Sequence, residues 1–582
     1  MKIICYLIMR LLLTLITPIL LIGCSNSHKY DLSHYKNTSI YYGGDIITVN
    51  DEQPETEAVL IGDGKIIAVG TKKEILSNKK SDTKLIDLKG KTMLPGFIDS
   101  HSHINMVSKY AEFTPAQGIV SIDTLVEYGK REVDKWLKKS MEDELYEPGD
   151  WFVGIGYDNT AFPNAIGPTA SDIDKISEDI PICIVHTSNH IAVVNHKGLE
   201  MMGYIPGSPI VEKLNQWFGK NPDGSLNGLL EEEAFFRLYY DPNVMMDNSK
   251  TNSSTPEDIL RRAMHIYASY GITTAQDGAG SDISQTVQNI WNEGDSLLID
   301  INSYTEKEKM TEPSYESKYN KGFRTAGVKI YLDGSPQAKT AWLNEPYYIV
   351  PEGKPLDYRG YPQMTDDDLY NELVECISEG YQVYAHTNGT AAIDQFLNQY
   401  KKAKKVTGIT TDLRPVFIHA QTMTEDQLDR AEKIGMDVSF FHDHTYYWGD
   451  YHLSSVLGPI RGARISPLAT ALQRDINVTM HQDSPVVPPN MIFSIHNAVN
   501  RVTRDGVPIG PEFAVDPLTA VKLVTIYGAH QYFQENDRGS IESGKTADFV
   551  ILDQNPLKVK KSEIKNIQVL KTIKKGNTIY EK

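Results

Sequence analysis

The feature that most constrains the fold is the alternation of apolar, strand-like runs with helical stretches through the middle of the chain. Strands that alternate with helices are typical of a parallel sheet covered by helices. Eight candidate strands can be counted, which is the number that closes a TIM barrel. They end at His101, Gln276, Asn302, Tyr331, His386, His419, Phe441 and Met480.

This count treats residues 104–260 as a long insertion after the first barrel strand. The insertion includes one strand-like run, Ile182–Val185, but much of its pattern is helical or loop-like. We expect it to act as a lid or to contribute to a substrate pocket. The competing architecture is a Rossmann-type sheet, but no Gly-x-Gly-x-x-Gly turn lies between an early strand and a helix.

Both ends of the chain are rich in short strands and turns. Residues 39–94 contain several such runs, with Gly62-Asp63-Gly64 as a hairpin-like break between two of them. Residues 539–582 show the same kind of pattern. We therefore expect a small β-rich domain assembled from both termini, with residues 95–538 forming the barrel between them.

The composition excludes several classes of protein. The chain of 582 residues has 58 Lys and Arg against 76 Asp and Glu, a formal charge of −18. This balance argues against a nucleic-acid partner, because phosphate binding requires clustered basic residues. Four cysteines are too few for a disulfide-stapled scaffold, and Cys183 and Cys376 lie in apolar stretches that are typical of buried thiols.

The N-terminus has the pattern of a targeting segment. Residues 3–22 are almost wholly apolar, and about 20 such residues can span a bilayer as a helix. A signal peptide over residues 1–23 fits better, because Leu21-Ile22-Gly23-Cys24 resembles the lipobox of bacterial lipoproteins. We expect an exported lipoprotein whose acylated Cys24 anchors it to a membrane, on the periplasmic or cell-surface side. Residues 24–38 would form a tether.

The strongest local signal for chemistry is the pair His101 and His103 at the end of the first barrel strand. Side chains two residues apart in a strand project to the same face. Active sites of TIM barrels lie at the carboxyl ends of the strands. Two imidazoles converging there suit a metal such as zinc, although a His-x-His motif alone is a weak signal.

Other barrel strands strengthen this interpretation. His386 and His419 each end an apolar strand, and Asp483 follows the last strand. A histidine that closes a single strand is usually a surface or capping residue. Asp483 could cap a following helix, or it could be a metal ligand and general base.

Lys329 lies in the middle of a barrel strand, between Val328 and Ile330. If these two neighbours point to the helices, Lys329 points into the barrel, where a lysine is costly unless it is paired or neutral. One interpretation is a salt bridge, with Asp333 as the partner. The other is a neutral amine that has reacted with carbon dioxide to form a carbamate, which could bridge two metal ions.

Together these residues resemble the metal-dependent amidohydrolase superfamily, most closely its family 3, the YtcJ-like group that includes N-substituted formamide deformylases. The resemblance runs from about Ser39 to Lys582, and the first motif that carries it is Pro95–His103. The further landmarks are Asn189-His190 with Val194-Asn195, Asp223-Gly224 with Gly228–Glu232, Val328-Lys329 with Asp333–Ser335, His444–Asp450, and Gly544–Val550.

The resemblance implies an α/β fold, a distorted TIM barrel with a long insertion after strand 1 and a β-sandwich built from both termini. It also implies two divalent metal ions, with zinc as the expected metal. His101, His103 and Asp483 would hold one ion and His386 and His419 the other, with carbamylated Lys329 as the bridging ligand.

Further roles follow from the same resemblance. His190 and Glu232, and more weakly His444 and Trp448, are expected to bind substrate, with metal contact by Glu232 as an option. Asp99 is expected to orient the histidines of the first strand without itself binding the metal.

The implied activity is hydrolysis of an amide-type carbon–nitrogen bond in a small molecule or a small peptide-like substrate. A metal-activated hydroxide would attack, and Asp483 would be the general base. One alternative is a heterocycle deaminase of the same superfamily, which does not need the strand lysine. The other is a non-catalytic surface lipoprotein. A homodimer is one option for the assembly.

Overall fold

The computed structural model describes residues 30–582 except 111–113, 116–118, 240, 242–243, 245–254 and 281–282. The expected signal peptide and the expected lipidation site, Cys24, lie outside the described residues. Within the described ranges, no helix has both the length and the apolar character needed to cross a membrane.

The described strands form three sheets. In chain order they are β1 Thr38–Ile47, β2 Glu55–Gly62, β3 Lys65–Gly70, β4 Lys84–Asp87, β5 Thr92–Pro95, β6 Phe97–Ile98, β7 Thr114–Pro115, β8 Phe152–Tyr157, β9 Ile182–His186, β10 Ile191–Val194, β11 Phe218–Lys220, β12 Leu226–Glu231, β13 Ile272–Gly280, β14 Asp300–Thr305, β15 Phe323–Tyr331, β16 Val383–Thr387, β17 Val416–His419, β18 Asp437–Phe440, β19 Val478–Met480, β20 Phe549–Leu552, β21 Val569–Lys574 and β22 Asn577–Glu581.

In the described part of the chain, the α-helices lie between these strands. They span Lys72–Ser77, Ile104–Tyr110, Ile122–Glu142, Ala170–Asp174, His196–Met201, Pro209–Lys213, Glu232–Tyr239, Pro256–Ser269, Ser284–Asn292, Asp366–Ser378, Thr390–Thr407, Glu425–Ile434, His444–Tyr447, Gly449–Tyr451, Gly458–Ala463, Leu468–Ala471, Met491–Asn500, Pro517–Leu523 and Ile526–Gln531.

The central sheet is built from parallel strands in the order β6-β13-β14-β15-β16-β17-β18-β19. Their outward side chains pack under the helices; Val328 and Ile330 of β15 share an apolar core with Leu373 and Ile377 of the helix Asp366–Ser378. The predicted distorted, TIM-like α/β fold is confirmed.

The distortion lies where the barrel closes. In the described part of the chain, β6 and β19 end the sheet and no ladder pairs them. Residues at and just beyond the strand ends join them instead: the Ser100 hydroxyl donates to the carbonyl of Met480, the last residue of β19, at 3.1 Å, and the His103 amide donates to the Ser484 carbonyl at 2.8 Å. These two bonds hold the first and last strand ends together at the carboxyl mouth.

Strands from both termini share one sheet, in the order β22-β21-β20-β5-β1-β2-β3, with β4 on β1. The two ends of the chain meet at the antiparallel pair β5–β20, where Pro95 faces Phe549. One apolar cluster combines Tyr41 and Met93 with Phe549 and Ile573, so the two ends are packed together. The two-layered sandwich itself stays a prediction.

The segment between β6 and β13 is more regular than its pattern suggests. Among its described residues, β7 to β12 form a six-stranded sheet with its own core, which includes Trp151, Val185 and Phe235. The expectation of mostly helical or loop-like structure therefore understated its strand content. The run Ile182–Val185 coincides with β9, but β8 is interrupted by Gly154 and Gly156, and β7, β10 and β11 are only two to four residues long, so their strand signal is weak.

Candidate metal centre

The residues at the carboxyl ends of the barrel strands converge on one buried point. His101 and His103 follow β6, Lys329 lies in β15, and Asp483 follows β19. His101 has no exposed surface, and Lys329 and His419 are also buried. Because all the strands are parallel, their carboxyl ends bring these side chains to the same mouth of the barrel.

Asp483 is shared by the two histidines of the first strand. Its Oδ1 lies 3.3 Å from His101 Nε2 and 3.0 Å from His103 Nε2. Ligand atoms bound to zinc at about 2.0–2.2 Å in a tetrahedral site lie roughly 3.3–3.6 Å apart. The observed separations are at or slightly below this spacing, so the three donors need little movement to hold one ion.

His419 and His386 stand beside this group. The donor atoms of His101, His419 and Asp483 lie within 4.8 Å of one another, and the ring centroids of His386 and His419 are 4.6 Å apart. His386 Nδ1 lies 3.2 Å from Asp333 Oδ1, and His419 Nδ1 lies 3.0 Å from His481 Nε2. Nδ1 is therefore engaged in each ring; Nε2 is left to bind a ligand in His419, whereas Nε2 of His386 also lies 3.4 Å from the Asn388 side-chain amide.

The protonation state of this cluster favours metal binding, because its ligand candidates are deprotonated. Burial and the nearby Lys329 lower the pKa of His101 to about 3, and burial holds the pKa of His386 and His419 well below the usual range. Burial opposes ionisation of Asp483, but the neighbouring imidazoles, His419 first and then His101 and His103, outweigh it and hold its pKa well below the ordinary value of 3.8. Neutral imidazoles and an ionised carboxylate offer lone pairs that can coordinate a divalent cation.

Lys329 points into the barrel, as alternation predicts. Its Nζ lies 3.3 Å from His101 Nε2, and burial lowers its pKa to about 7. A large fraction of the amine is therefore neutral at physiological pH, which is the form that reacts with carbon dioxide. No ion pair of Lys329 with Asp333 is formed in the described structure.

Asp333 instead supports His386. Its carboxylate accepts hydrogen bonds from the backbone amides of Asn388, Gly389 and Trp342, at 2.9, 2.7 and 3.0 Å. Burial raises its pKa to about 7 despite these bonds. Asp333 thus fixes both the His386 ring and the start of the helix that follows β16.

Comparison with known proteins places this arrangement in a family. Residues 84–580 match the sequence model described as the amidohydrolase family. The chain belongs to that family.

Two curated relatives extend the similarity over nearly the whole chain. The N-substituted formamide deformylase of Arthrobacter pascens is 24% identical over 92% of this chain and 97% of that protein. The putative amidohydrolase YtcJ of Bacillus subtilis is 24% identical over 94% of this chain and 99% of that protein.

A solved structure shares the fold of this amidohydrolase. An uncharacterized metal-dependent hydrolase from Pyrococcus horikoshii OT3 superposes with a TM-score of 0.66 at 23% identity, over 90% of this chain and 99% of that chain. Family membership supports a hydrolase, and the histidine cluster fits a divalent metal.

Two neighbouring cavities open at the cluster. The smaller, about 60 Å³, is lined by His103, Lys329, His386, His419 and Asp483, together with apolar side chains such as Phe236 and Val486. The larger, about 660 Å³, shares His190, Phe236, Lys329 and Tyr331 with it and extends between the insertion and the barrel. Its volume is in the range that holds a drug-sized molecule.

His190 and Glu232 come from the insertion and face this larger cavity. His190 Nδ1 lies 2.9 Å from Glu232 Oε2, which also accepts a hydrogen bond from the Gln363 amide at 2.8 Å. Burial alone would lower the pKa of His190, but Glu232 outweighs it and raises that pKa above 6.5. The ring centroid of His190 is 5.1 Å from that of His386, so it can present a hydrogen-bond donor next to the metal ligands.

Other predicted residues lie farther from the cluster. His444 packs on Phe441, with ring centroids 4.5 Å apart, and its Nε2 contacts the Gln337 amide at 3.1 Å. The Trp448 indole donates to Asp158 of the insertion at 3.0 Å. Neither residue lines the two cavities described above.

Asp99 does not contact the imidazole rings directly. Its Oδ1 accepts a 3.4 Å hydrogen bond from the backbone amide of His101, and burial raises its pKa to about 6. The side chains that contact Nδ1 of the ligand rings are Gln276 at His101, His481 at His419 and Asp333 at His386. His481 lies two residues before Asp483, a spacing that could have identified it; Gln276 gives no comparable signal in the sequence.

Proposed function

We propose that this amidohydrolase hydrolyses an amide-type carbon–nitrogen bond in a small molecule. The observation that carries the proposal is the buried Lys329, whose amine lies 3.3 Å from His101 Nε2 beside the carboxylate of Asp483. A heterocycle deaminase with one metal does not require a lysine there, whereas a two-metal hydrolase uses it as a bridging carbamate. The name of the Arthrobacter relative agrees with this choice of bond.

His101, His103 and Asp483 would hold one divalent ion, and His386 and His419 a second, with carbamylated Lys329 between them. Zinc suits this mixture of imidazole and carboxylate donors. When bound, such ions make water acidic enough to ionise near neutral pH and polarise the scissile carbonyl. The chain then has to move protons and orient the substrate.

Asp483 is placed to move the proton. Its pKa is held well below 3.8 and its side chain is only 13% exposed, and in this position the carboxylate accepts a proton from the attacking water and returns it to the leaving amine. His190, held by Glu232, donates a hydrogen bond to the developing negative charge on the substrate oxygen. The larger cavity accommodates the remainder of the substrate.

The proposal is tested with a substrate panel. Zinc-loaded protein is assayed against N-formyl amines, N-acyl amino acids, cyclic ureides and dipeptides, with cytosine and adenosine included as deaminase substrates. We expect turnover of at least one amide class and its loss in Asp483→Asn. Turnover of the heterocycles alone would favour the deaminase, and no turnover of any class would favour the non-catalytic lipoprotein.

We also propose that the protein is exported as a lipoprotein, on the support of the lipobox-like sequence that ends at Cys24. Expression with radiolabelled palmitate tests this directly. We expect label in the parent protein and none in Cys24→Ser. Equal labelling of the two proteins, or none in either, would contradict the lipid anchor.

A further inference from the structure

The inner nitrogen of His101 faces the interior of the barrel. His101 Nδ1 is in hydrogen-bond contact with Oε1 of Gln276, which lies in β13 and is fully buried. The other nitrogen, Nε2, faces Asp483 Oδ1 and Lys329 Nζ, each at 3.3 Å. The two nitrogens of the His101 ring therefore face different groups: Nδ1 faces Gln276, and Nε2 faces the proposed metal site.

The orientation of the Gln276 amide follows from its other neighbours. Its Nε2 lies 3.2 Å from the carbonyl oxygen of Ser100 and 3.1 Å from the Tyr532 hydroxyl. A carbonyl oxygen can only accept a hydrogen bond, so the NH₂ end of the amide must face Ser100. Oε1 then faces His101 as an acceptor, and His101 Nδ1 must carry the proton.

Tyr532 holds Gln276 in turn. It comes from the segment after the helix Ile526–Gln531, far along the chain from β13, and its hydroxyl donates to the Asp99 carbonyl at 2.7 Å. With that proton committed to Asp99, the Tyr532 oxygen is left to accept from Gln276. A continuous chain of hydrogen bonds thus runs from the backbone of Asp99 through Tyr532 and Gln276 to His101.

The backbone leaves room for this contact. A Cβ atom placed on Gly278 would lie 2.5 Å from Gln276 Oε1 and 2.6 Å from His101 Cε1. The amide of Gly278 also donates to the Ser102 carbonyl at 2.9 Å, which draws β13 against the His101–His103 segment. A side chain at this position would separate the imidazole from the amide.

We propose that Gln276, held by Tyr532, is a positioning residue that fixes the tautomer and the ring orientation of His101, so that the Nε2 lone pair is presented to a divalent metal. Partners of this kind, one step removed from the ion, are worth about 10–100-fold in metal affinity. The inference rests on the proposed metal-dependent function, but the tautomer of His101 can be measured without any metal.

The first experiment uses zinc and a competing chelator. We expect Gln276→Leu to bind Zn²⁺ about 10–100-fold more weakly than the parent. Gln276→Glu keeps an acceptor opposite His101 Nδ1 and should bind more tightly than Gln276→Leu. Tyr532→Phe, a milder change, should weaken binding less and should add little when combined with Gln276→Leu.

The matched control is Gln382→Leu. Gln382 is also a fully buried barrel glutamine with side-chain bonds to Tyr304 and to the backbone of Gln531, but it contacts none of the metal-ligand candidates. Its loss should lower stability and leave zinc affinity unchanged. Equal zinc affinity in the parent and Gln276→Leu, or equal weakening in Gln276→Leu, Gln276→Glu and Gln382→Leu, would overturn the inference.

A second experiment separates this inference from the proposed function. Long-range ¹H–¹⁵N spectra of metal-free, ¹⁵N-histidine protein report which nitrogen is protonated, and His101→Gln assigns the signals. We expect the Nδ1–H form of His101 in the parent and a mixture of tautomers in Gln276→Leu. An Nε2–H form in the parent would refute the positioning role, whereas a parent with this Nδ1–H signal that binds no zinc would refute only the metal-dependent function.

Discussion

Replacing Lys574 by methionine tests how the terminal sheet is fixed to the barrel. Lys574 of β21 is almost fully buried, and its Nζ lies 2.6 Å from Asp300 at the start of β14 and 2.7 Å from Asp548. Arg538 also contacts Asp300, at 2.6 Å. These four charged groups form one buried network between the two sheets.

The expected cost follows from the charges left behind. In Lys574→Met, Asp300 keeps Arg538, but Asp548 retains only the Lys575 backbone amide, at 2.8 Å. Removing one partner of a buried ion pair costs about 3–5 kcal/mol because the remaining charge is desolvated and uncompensated. We expect the free energy of unfolding, measured by urea titration with circular dichroism, to fall by about this amount.

The control is a surface pair on the same sheet. Lys571 and Glu581 are 2.7 Å apart, but their side chains are 42% and 58% exposed. Lys571→Met should cost less than about 1 kcal/mol, because exposed ion pairs are screened by water. Equal shifts of the urea transition in the two variants would refute the reasoning that burial gives the network its strength.

The same network predicts a pH dependence. Burial alone would raise the pKa of Asp300, but Lys574 and Arg538 outweigh it and hold that pKa well below its ordinary value of 3.8. The stabilisation by Asp300 is therefore present above pH 3.8 and is lost as the pH falls toward the lower pKa of the folded state. Asp300→Asn should flatten this acid limb of the stability curve; an unchanged limb would contradict the assignment.

Three further predictions concern the metal centre. Lys329→Ala should lose metal, with partial recovery of metal and activity when a short carboxylate such as acetate is added; unchanged metal content by elemental analysis would exclude the bridging carbamate. Asp483→Asn should retain most of its metal and lose about 10²–10⁴ in kcat, since a general base is removed; turnover at the parental rate would exclude Asp483 as the base. His190→Ala should lower kcat by about 10²–10³ at unchanged metal content, as expected for loss of a donor to the substrate oxygen; a change confined to KM would assign His190 to substrate binding alone.

The sequence was most informative where apolar strands alternate regularly with amphipathic helices. The barrel strands are short apolar runs between amphipathic helices, so their number and approximate ends could be predicted. Alternation within β15 also placed Lys329 on the inner face, opposite Val328 and Ile330. Because a lysine is costly inside a barrel, this one position already indicated chemistry.

What could not be predicted depends on contacts between distant parts of the chain. In the sheet of the insertion only β9 gives a clear apolar run, because β8 contains two glycines and β7, β10 and β11 are only two to four residues long. Gln276, the partner of His101, is equally hidden, because Gln276 and Tyr532 are separated by 256 positions and meet only where the segment after β19 enters the barrel. The pairing of Lys329 with Asp333 was a reasonable expectation from spacing, yet Asp333 pairs with His386 instead.

The number of metal ions per chain tests the central claim most directly. Protein purified after equilibration with zinc and bicarbonate, then desalted, is analysed by inductively coupled plasma mass spectrometry against its concentration from amino-acid analysis. We predict two zinc ions per chain, falling together when Lys329 is replaced by alanine. A single ion that Lys329→Ala retains, or no bound metal in the parent, would contradict a bridged two-metal hydrolase.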